Sequence, residues 1–214
     1  PEMTHLKELR DLYIEGMKYA TDLSPLAGCR KLKSITARGS SLQSVSGLAS
    51  VTTLKDVNFT NCRNLTDISG LSASRKLQAV HLGSSAVASV EPLRGHASLR
   101  EVDVDRCYSL RSLSALEESP RLKTVTMVGC SVLEDVEILA KVPTLKSLNL
   151  WGCGALKGLK GLEAHRKTLE SLNVSQCSAL TDLSALRGAQ RLKTVNLSDA
   201  TSLTSIAPLA DSHA

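Results

Sequence analysis

The chain has 214 residues, 42% hydrophobic but only 2% aromatic, with a formal net charge of +5. Acidic and basic residues are interspersed rather than blocked, so the modest positive balance argues for a solvated surface and makes no case for nucleic acid. No apolar run approaches the roughly 20 residues a membrane span requires, and residues 1–8 lack the basic start and apolar core of a signal peptide.

Taken in order, residues 1–8 form an N-terminal flank. From Leu9 a unit repeats to the end of the chain, residues 9–214. Its starts are Leu9, Leu32, Leu54, Leu77, Leu99, Leu122, Leu145, Leu169 and Leu192, a period of 22 to 24 residues. The stretch LKSLNLWGCGALKGLKGL, Leu145 to Leu162, shows the unit clearly. Its first half alternates Leu148 and Leu150 around Asn149, which is strand spacing. Its second half places leucines every third residue, which suits a tight turn or 3-10 segment. A unit this small cannot bury its own leucines, so stability requires stacked units that share one core. The second and fourth units are one residue shorter, at Ser40 to Leu42 and at Ser85 to Val87. The first residue is proline, and neither end carries an evident polar cap beyond residues such as Glu2, Lys7 and Asp211. Both features point to a piece of a longer protein.

The spacing L-x-x-L-x-L, followed by a cysteine or small residue and a further leucine, resembles the leucine-rich repeat family. The resemblance covers nearly the whole chain. It implies an α/β repeat solenoid: an arc with a concave parallel β-sheet and a convex side of turns and 3-10 segments. The convex motifs TDLSPL (Thr21–Leu26), TDISGL (Thr66–Leu71) and TDLSAL (Thr181–Leu186) look like the internalin-type turn of bacterial surface proteins. There Thr, Asp and Ser bond local backbone, and proline supplies a fixed φ. Seven units carry an extra residue relative to that type, and cysteine replaces asparagine. In those respects the chain resembles cysteine-bearing repeats of intracellular eukaryotic proteins. It is also similar to kinetoplastid leucine-rich repeat proteins, some of which are described as adenylate cyclase regulators.

Five of the six cysteines, Cys62, Cys107, Cys130, Cys153 and Cys177, occupy one repeat position. Met17, Ser40, Ser85 and Ala200 fill it elsewhere, and the resemblance implies that it points inward. No C-x-x-C pair marks a metal site. Stacked neighbours about 4.8 Å apart do not meet the roughly 3.8 Å Cβ separation of a disulfide. The reading is a ladder of free buried thiols and hence a reducing, cytoplasmic compartment. Cys29 lies outside the column as a convex-side filler.

Outward positions of the strands are the candidate binding surface. The middle column runs Tyr13, Thr36, Asn58, His81, Asp103, Thr126, Asn149, Asn173, Asn196. The next contains Glu15, Arg38, Thr60, Gly83, Asp105, Val128, Trp151, Ser175 and Ser198. Trp151, the only tryptophan, and Val128 are expected to face solvent beside the acidic group Glu101, Asp103 and Asp105. An apolar patch beside like charges is a typical contact surface, because interface anchors favour Trp and Tyr. The candidate partner-binding residues are therefore Tyr13, Arg38, His81, Glu101, Asp103, Asp105, Val128 and Trp151. The carboxylates lie on a flat strand, which cannot wrap a calcium ion. His81 is read as a lone surface residue without triad partners. His5, His96, His165 and His213 fall in loops or at the ends and suggest no role.

A basic stripe, Arg10, Lys33, Lys55, Arg100, Lys123, Lys146 and Lys193, is broken by Gln78 and Glu170. Without interleaved aromatics it reads as a solvated edge rather than a nucleic-acid track. No nucleophile, base and orienting group fall together, so no enzyme activity, cofactor or metal is expected. The functional expectation is a protein–protein interaction module. One alternative is the substrate-recognition or regulatory arm of a larger enzyme, such as a ubiquitin ligase or adenylate cyclase. The other is an internalin-type surface adhesin. The sequence does not specify an oligomeric state.

Overall fold

A computed structural model describes residues 6–210. Glu2, His5, Asp211 and His213 lie outside the described residues.

Nine three-residue strands form one parallel sheet in strict sequence order. They are β1 (Asp11–Tyr13), β2 (Ser34–Thr36), β3 (Asp56–Asn58), β4 (Ala79–His81), β5 (Glu101–Asp103), β6 (Thr124–Thr126), β7 (Ser147–Asn149), β8 (Ser171–Asn173) and β9 (Thr194–Asn196). Each chain reversal between strands runs through a 3-10 segment of three to five residues, from Ser24–Leu26 to Ser184–Leu186, and a further one, Ala207–Leu209, follows β9. This is the sheet-and-turn solenoid that the leucine spacing implies.

Period-two alternation sets the strand faces. The central residue of each strand points inward and pairs in register with its neighbours: Leu12, Ile35, Val57, Val80, Val102, Val125, Leu148, Leu172 and Val195. Together with the turn leucines they form one continuous apolar core, from Leu23 to Leu186. At the ends Leu9, Leu12, Ile14, Leu192, Leu197 and Leu203 are only partly buried, because each lacks a neighbour on one side.

The chain leaves each strand through one left-handed residue: Gly16, Gly39, Asn61, Ser84, Arg106, Gly129, Gly152, Gln176 or Asp199. Several of their N–H groups reach the carbonyl of the following repeat, as from Asn61 to Gly83 at 2.7 Å and from Arg106 to Val128 at 2.6 Å. A residue with a Cβ holds this conformation at a cost of about 1–2 kcal/mol, which the stacking bond helps to offset.

The cysteine column lies immediately beyond. All six cysteines are free and buried. The Sγ atoms of Cys62, Cys107, Cys130, Cys153 and Cys177 donate to the carbonyls of Ala37, Leu82, Val104, Met127 and Leu150 at 3.0–3.3 Å. Burial pushes the Cys153 thiol up to about 12 and Cys177 up to about 11. These thiols are weak donors that satisfy turn backbone, and they are poor nucleophiles.

On the turn face the acidic and hydroxyl residues do what the TDLS motif requires. Asp22, Asp67 and Asp182 accept the N–H groups of Ser24, Ser69 and Ser184 at 2.8–2.9 Å. Ser44, Ser89, Ser112 and Ser205 play the same part in other repeats. Bonds from the serine hydroxyls and N–H groups hold the three aspartates below the usual carboxylate range.

A second inward column escaped the sequence reading. Three residues before the first leucine stand Cys29, Val51, Ser74, His96, Ser119, Val142 and Ala189, all buried. His165 enters the same layer from four residues before Leu169, because its repeat is longer. His96 and His165 are therefore core residues, not loop residues without a role. His96 places Nδ1 2.9 Å from the Leu93 carbonyl and Nε2 3.1 Å from that of Leu71. His165 places Nε2 2.8 Å from the Leu139 carbonyl.

Repeats two and three approach closely at Gly70. A Cβ built there would strike the Val45 carbonyl oxygen, which is rigid backbone. Gly70→Ala is expected to destabilise the chain by about 1–3 kcal/mol through overpacking. A urea midpoint for this variant, beside exposed Ser69→Ala, checks it; equal midpoints would rule the close approach out.

Candidate strand-face interface

The sheet register brings the sequence-defined columns together as drawn. His81 pairs with Asp103, and Asp103 with Thr126, on successive strands. His81 is accordingly not alone: its Nδ1 lies 3.6 Å from the Asp103 carboxylate. That carboxylate raises the His81 pKa above its ordinary value, against the opposing effect of burial. Burial alone would raise the Asp103 carboxyl, but His81 and the Asp105 N–H outweigh it and leave Asp103 lowered.

The middle column has a structural duty that the sequence reading did not assign. Asn58, Asp103, Asn149, Asn173 and Asn196 each accept, through Oδ1, the N–H of the residue two positions on. Those donors are Thr60, Asp105, Trp151, Ser175 and Ser198, at 2.9–3.1 Å. The side chains turn the backbone out of the strand, the ordinary use of Asn and Asp at such bends. Asp105 reaches across to the Val128 N–H at 2.8 Å. Burial and the neighbouring Asp103 raise its pKa despite that bond.

Trp151 and Val128, expected to project into solvent, are each half-buried. Strands about 4.8 Å apart let every outward side chain lean on the next. The prominent apolar side chains lie elsewhere: Tyr13, Tyr19 and Tyr108 are 71%, 97% and 60% exposed. Tyr13 and Arg38 sit on repeats one and two, at least about 10 Å in strand spacings from the His81–Asp103 pair. The cluster brought together by the fold is His81, Glu101, Asp103, Asp105, Val128 and Trp151.

The basic edge is partly neutralised. Glu170, which interrupts it, binds Lys146 at 2.8 Å and Lys193 at 2.7 Å, and these bonds depress its carboxyl to about 2. On the turn face Arg94 binds Glu91, Glu117 and Glu118, and Lys141, Lys157 and Lys160 each bind a glutamate. Among the described residues no group of three His, Cys, Asp or Glu side chains is placed to hold a metal ion, and no helix is long and apolar enough to cross a membrane.

No protein-family model and no curated protein sequence matches the chain. Solved structures do. The leucine-rich repeat domain of the type III effector XopL aligns with a TM-score of 0.75 at 22% identity, over 92% of this chain and 72% of that one. The chain has a leucine-rich repeat fold. Internalin C2 of Listeria monocytogenes aligns at 0.61 and 16% identity, over 92% and 75% of the two chains. The functional domain of InlJ from the same organism includes a cysteine ladder. It aligns at 0.58 and 14% identity, over 69% of this chain and 32% of that one. A cysteine ladder thus occurs in an internalin too, so it does not separate the intracellular reading from the internalin-type one.

Proposed function

We propose that this leucine-rich repeat chain is a non-catalytic module that docks a partner protein on its strand face, around Asp103, Asp105, Val128 and Trp151. The observation that carries the reading is the juxtaposition, where three successive repeats leave their strands, of two half-buried apolar side chains and two carboxylates. The rigid sheet presents this patch without an ordering cost on its own side. The partner surface it suits is apolar with a basic rim. The fold relatives support a binding scaffold over an enzyme, and the XopL domain is an instance of such repeats as one part of an effector. A regulatory or recognition arm of a larger protein is therefore the second reading, and a surface adhesin of internalin type the third.

The test compares partner capture by the native chain and by Trp151→Ala/Asp105→Lys, both verified as folded by thermal melt. Loss of a partner only with the variant, by about tenfold or more in affinity, is the expected result, since central aromatic anchors are commonly worth 2 kcal/mol or more. Unchanged capture would remove the strand face from the proposal.

A further inference from the structure

The fourth repeat is one residue short where the chain leaves the strand, between Ser85 and Val87. Its neighbours keep the longer loop, Cys62 to Leu65 before it and Cys107 to Leu110 after it. The short loop lies between two taller ones. The result is a recess of about 440 Å³ at the rim of the strand face. Ser84, Ser85 and Ala86 form its floor. Asn61 and Arg63 form one wall, and Arg106, Tyr108 and Ser109 the other.

The chemistry of this recess is one-sided. It holds two guanidinium groups, a phenol, an amide and hydroxyls, and no carboxylate. Arg94 binds three glutamates, whereas neither Arg63 nor Arg106 makes an ion pair among the described residues. Arg106 leaves its strand with φ of 55°. Two arginines outside any ion pair, of which Arg106 also feels the Asp105 carboxylate, together with hydroxyl donors suit the oxygens of a phosphoryl group, which arginine meets with two parallel bonds.

A second, smaller hollow of about 210 Å³ adjoins it and shares Asn61, Ser84 and Arg106. It is lined further by Thr60, Gly83, Asp103, Asp105 and Val128. Gly83 opens it, because a Cβ there would sit 3.1 Å from the Asp103 carboxylate. A cationic site therefore abuts an anionic one. We propose that the recess binds a phosphorylated side chain of the partner protein, with an adjacent lysine or arginine of that partner entering the Asp103–Asp105 hollow. The inference rests on the strand-face docking reading and specifies what that partner carries. The carboxylates next door favour a phosphopeptide over a nucleic acid, whose successive phosphates would meet them.

The test titrates the full chain, labelled with ¹⁵N, with four probes. They are N-acetyl-phosphoserine-lysine amide, its unphosphorylated counterpart, inorganic phosphate, and a single-stranded oligouridylate. The phosphopeptide is expected to shift the amides of Asn61, Ser84, Ser85 and Arg106, at least about fivefold tighter than inorganic phosphate. Arg63→Ser/Arg106→Gln is expected to weaken it by about tenfold or more, about 1.4 kcal/mol, as loss of charge-assisted bonds predicts. Both replacements occur naturally at these repeat positions, as Ser178 and Gln176, so the fold is retained. Asp105→Asn is expected to abolish the advantage of the phosphopeptide over inorganic phosphate. Equal binding of the unphosphorylated peptide, tighter binding of the oligouridylate at the same amides, or indifference to the arginine pair would each overturn the proposal. Partner capture that survives Arg63→Ser/Arg106→Gln but fails with Trp151→Ala/Asp105→Lys would overturn the recess and leave the strand-face reading standing.

Discussion

Leu148→Ala is expected to lower the stability of the chain by about 2–5 kcal/mol, the range for a buried leucine truncated where the surroundings cannot close up. Leu148 is 1% exposed and is flanked in register by Val125 and Leu172. Its cavity would open between two repeats, and repeat stability is mostly a nearest-neighbour property. Hydrogen exchange should therefore show the loss concentrated from β6 to β8, with β2 protected nearly as before. Urea denaturation followed by circular dichroism measures the total. A uniform loss of protection along the chain would mean that the repeats unfold as one cooperative block.

Asn149→Ala provides the contrast. Read as an exposed strand residue, Asn149 would cost under about 0.5 kcal/mol on truncation. The structure gives it a bond to the Trp151 N–H at 3.1 Å, so the expected cost rises to about 0.5–1.5 kcal/mol. The two variants together separate what the repeat pattern encodes from what it leaves open. The leucine spacing makes the inward face, strand register and turn positions legible, because period-two and period-three burial recur nine times and errors in one repeat are corrected by the others. The side-chain bonds of the middle column are not legible from periodicity. An Asn that points outward and one that bends back to its own backbone have the same spacing.

The candidate site divides along the same line. Asp103, Asp105, Val128 and Trp151 could be placed side by side on successive repeats from their repeat positions alone, although Asp105, Val128 and Trp151 fall in the turns just beyond the three-residue strands. The His81–Asp103 contact was within reach, since the two occupy one column on successive strands, but reading His81 as isolated ignored its neighbour. The arginine recess depends on the missing residue of the fourth repeat. That deletion is visible in the sequence, yet its effect is a difference in height between three loops, which only the packed arrangement reveals. Tyr108 and Tyr19 were passed over for a related reason: they sit just beyond the inward column, where the repeat pattern prescribes nothing.

The buried histidines carry the largest expected dependence on pH. Burial lowers the pKa of both His96 and His165 below the ordinary histidine value, against the pull of the carbonyls they face; Arg75 adds to the effect at His96. A histidine lowered in the folded state binds its proton more readily when unfolded. Its stabilising contribution is therefore complete above about pH 6.5 and is lost as the pH falls through the folded-state pKa. His81 works in the opposite sense: its raised pKa stabilises below about pH 6.5 and fades as the pH rises through the folded value. Two fully buried rings against one half-buried ring should make the acid loss dominate. The urea midpoint of the native chain is thus expected to fall between pH 7 and pH 5. His96→Leu should flatten that fall and His81→Asn should steepen it. At pH 7, His96→Ala should cost about 1–3 kcal/mol, from lost packing and from the one carbonyl, of Leu71 or Leu93, to which the neutral ring donates losing that partner. Both carbonyls also accept a backbone N–H, from Ser74 and His96 respectively, which keeps the figure from rising further. The neutral ring can donate to only one of its two carbonyls. If stability instead rose on acidification and His96→Leu removed the rise, the folded ring would be an imidazolium donating to both, and the two carbonyls would outweigh burial.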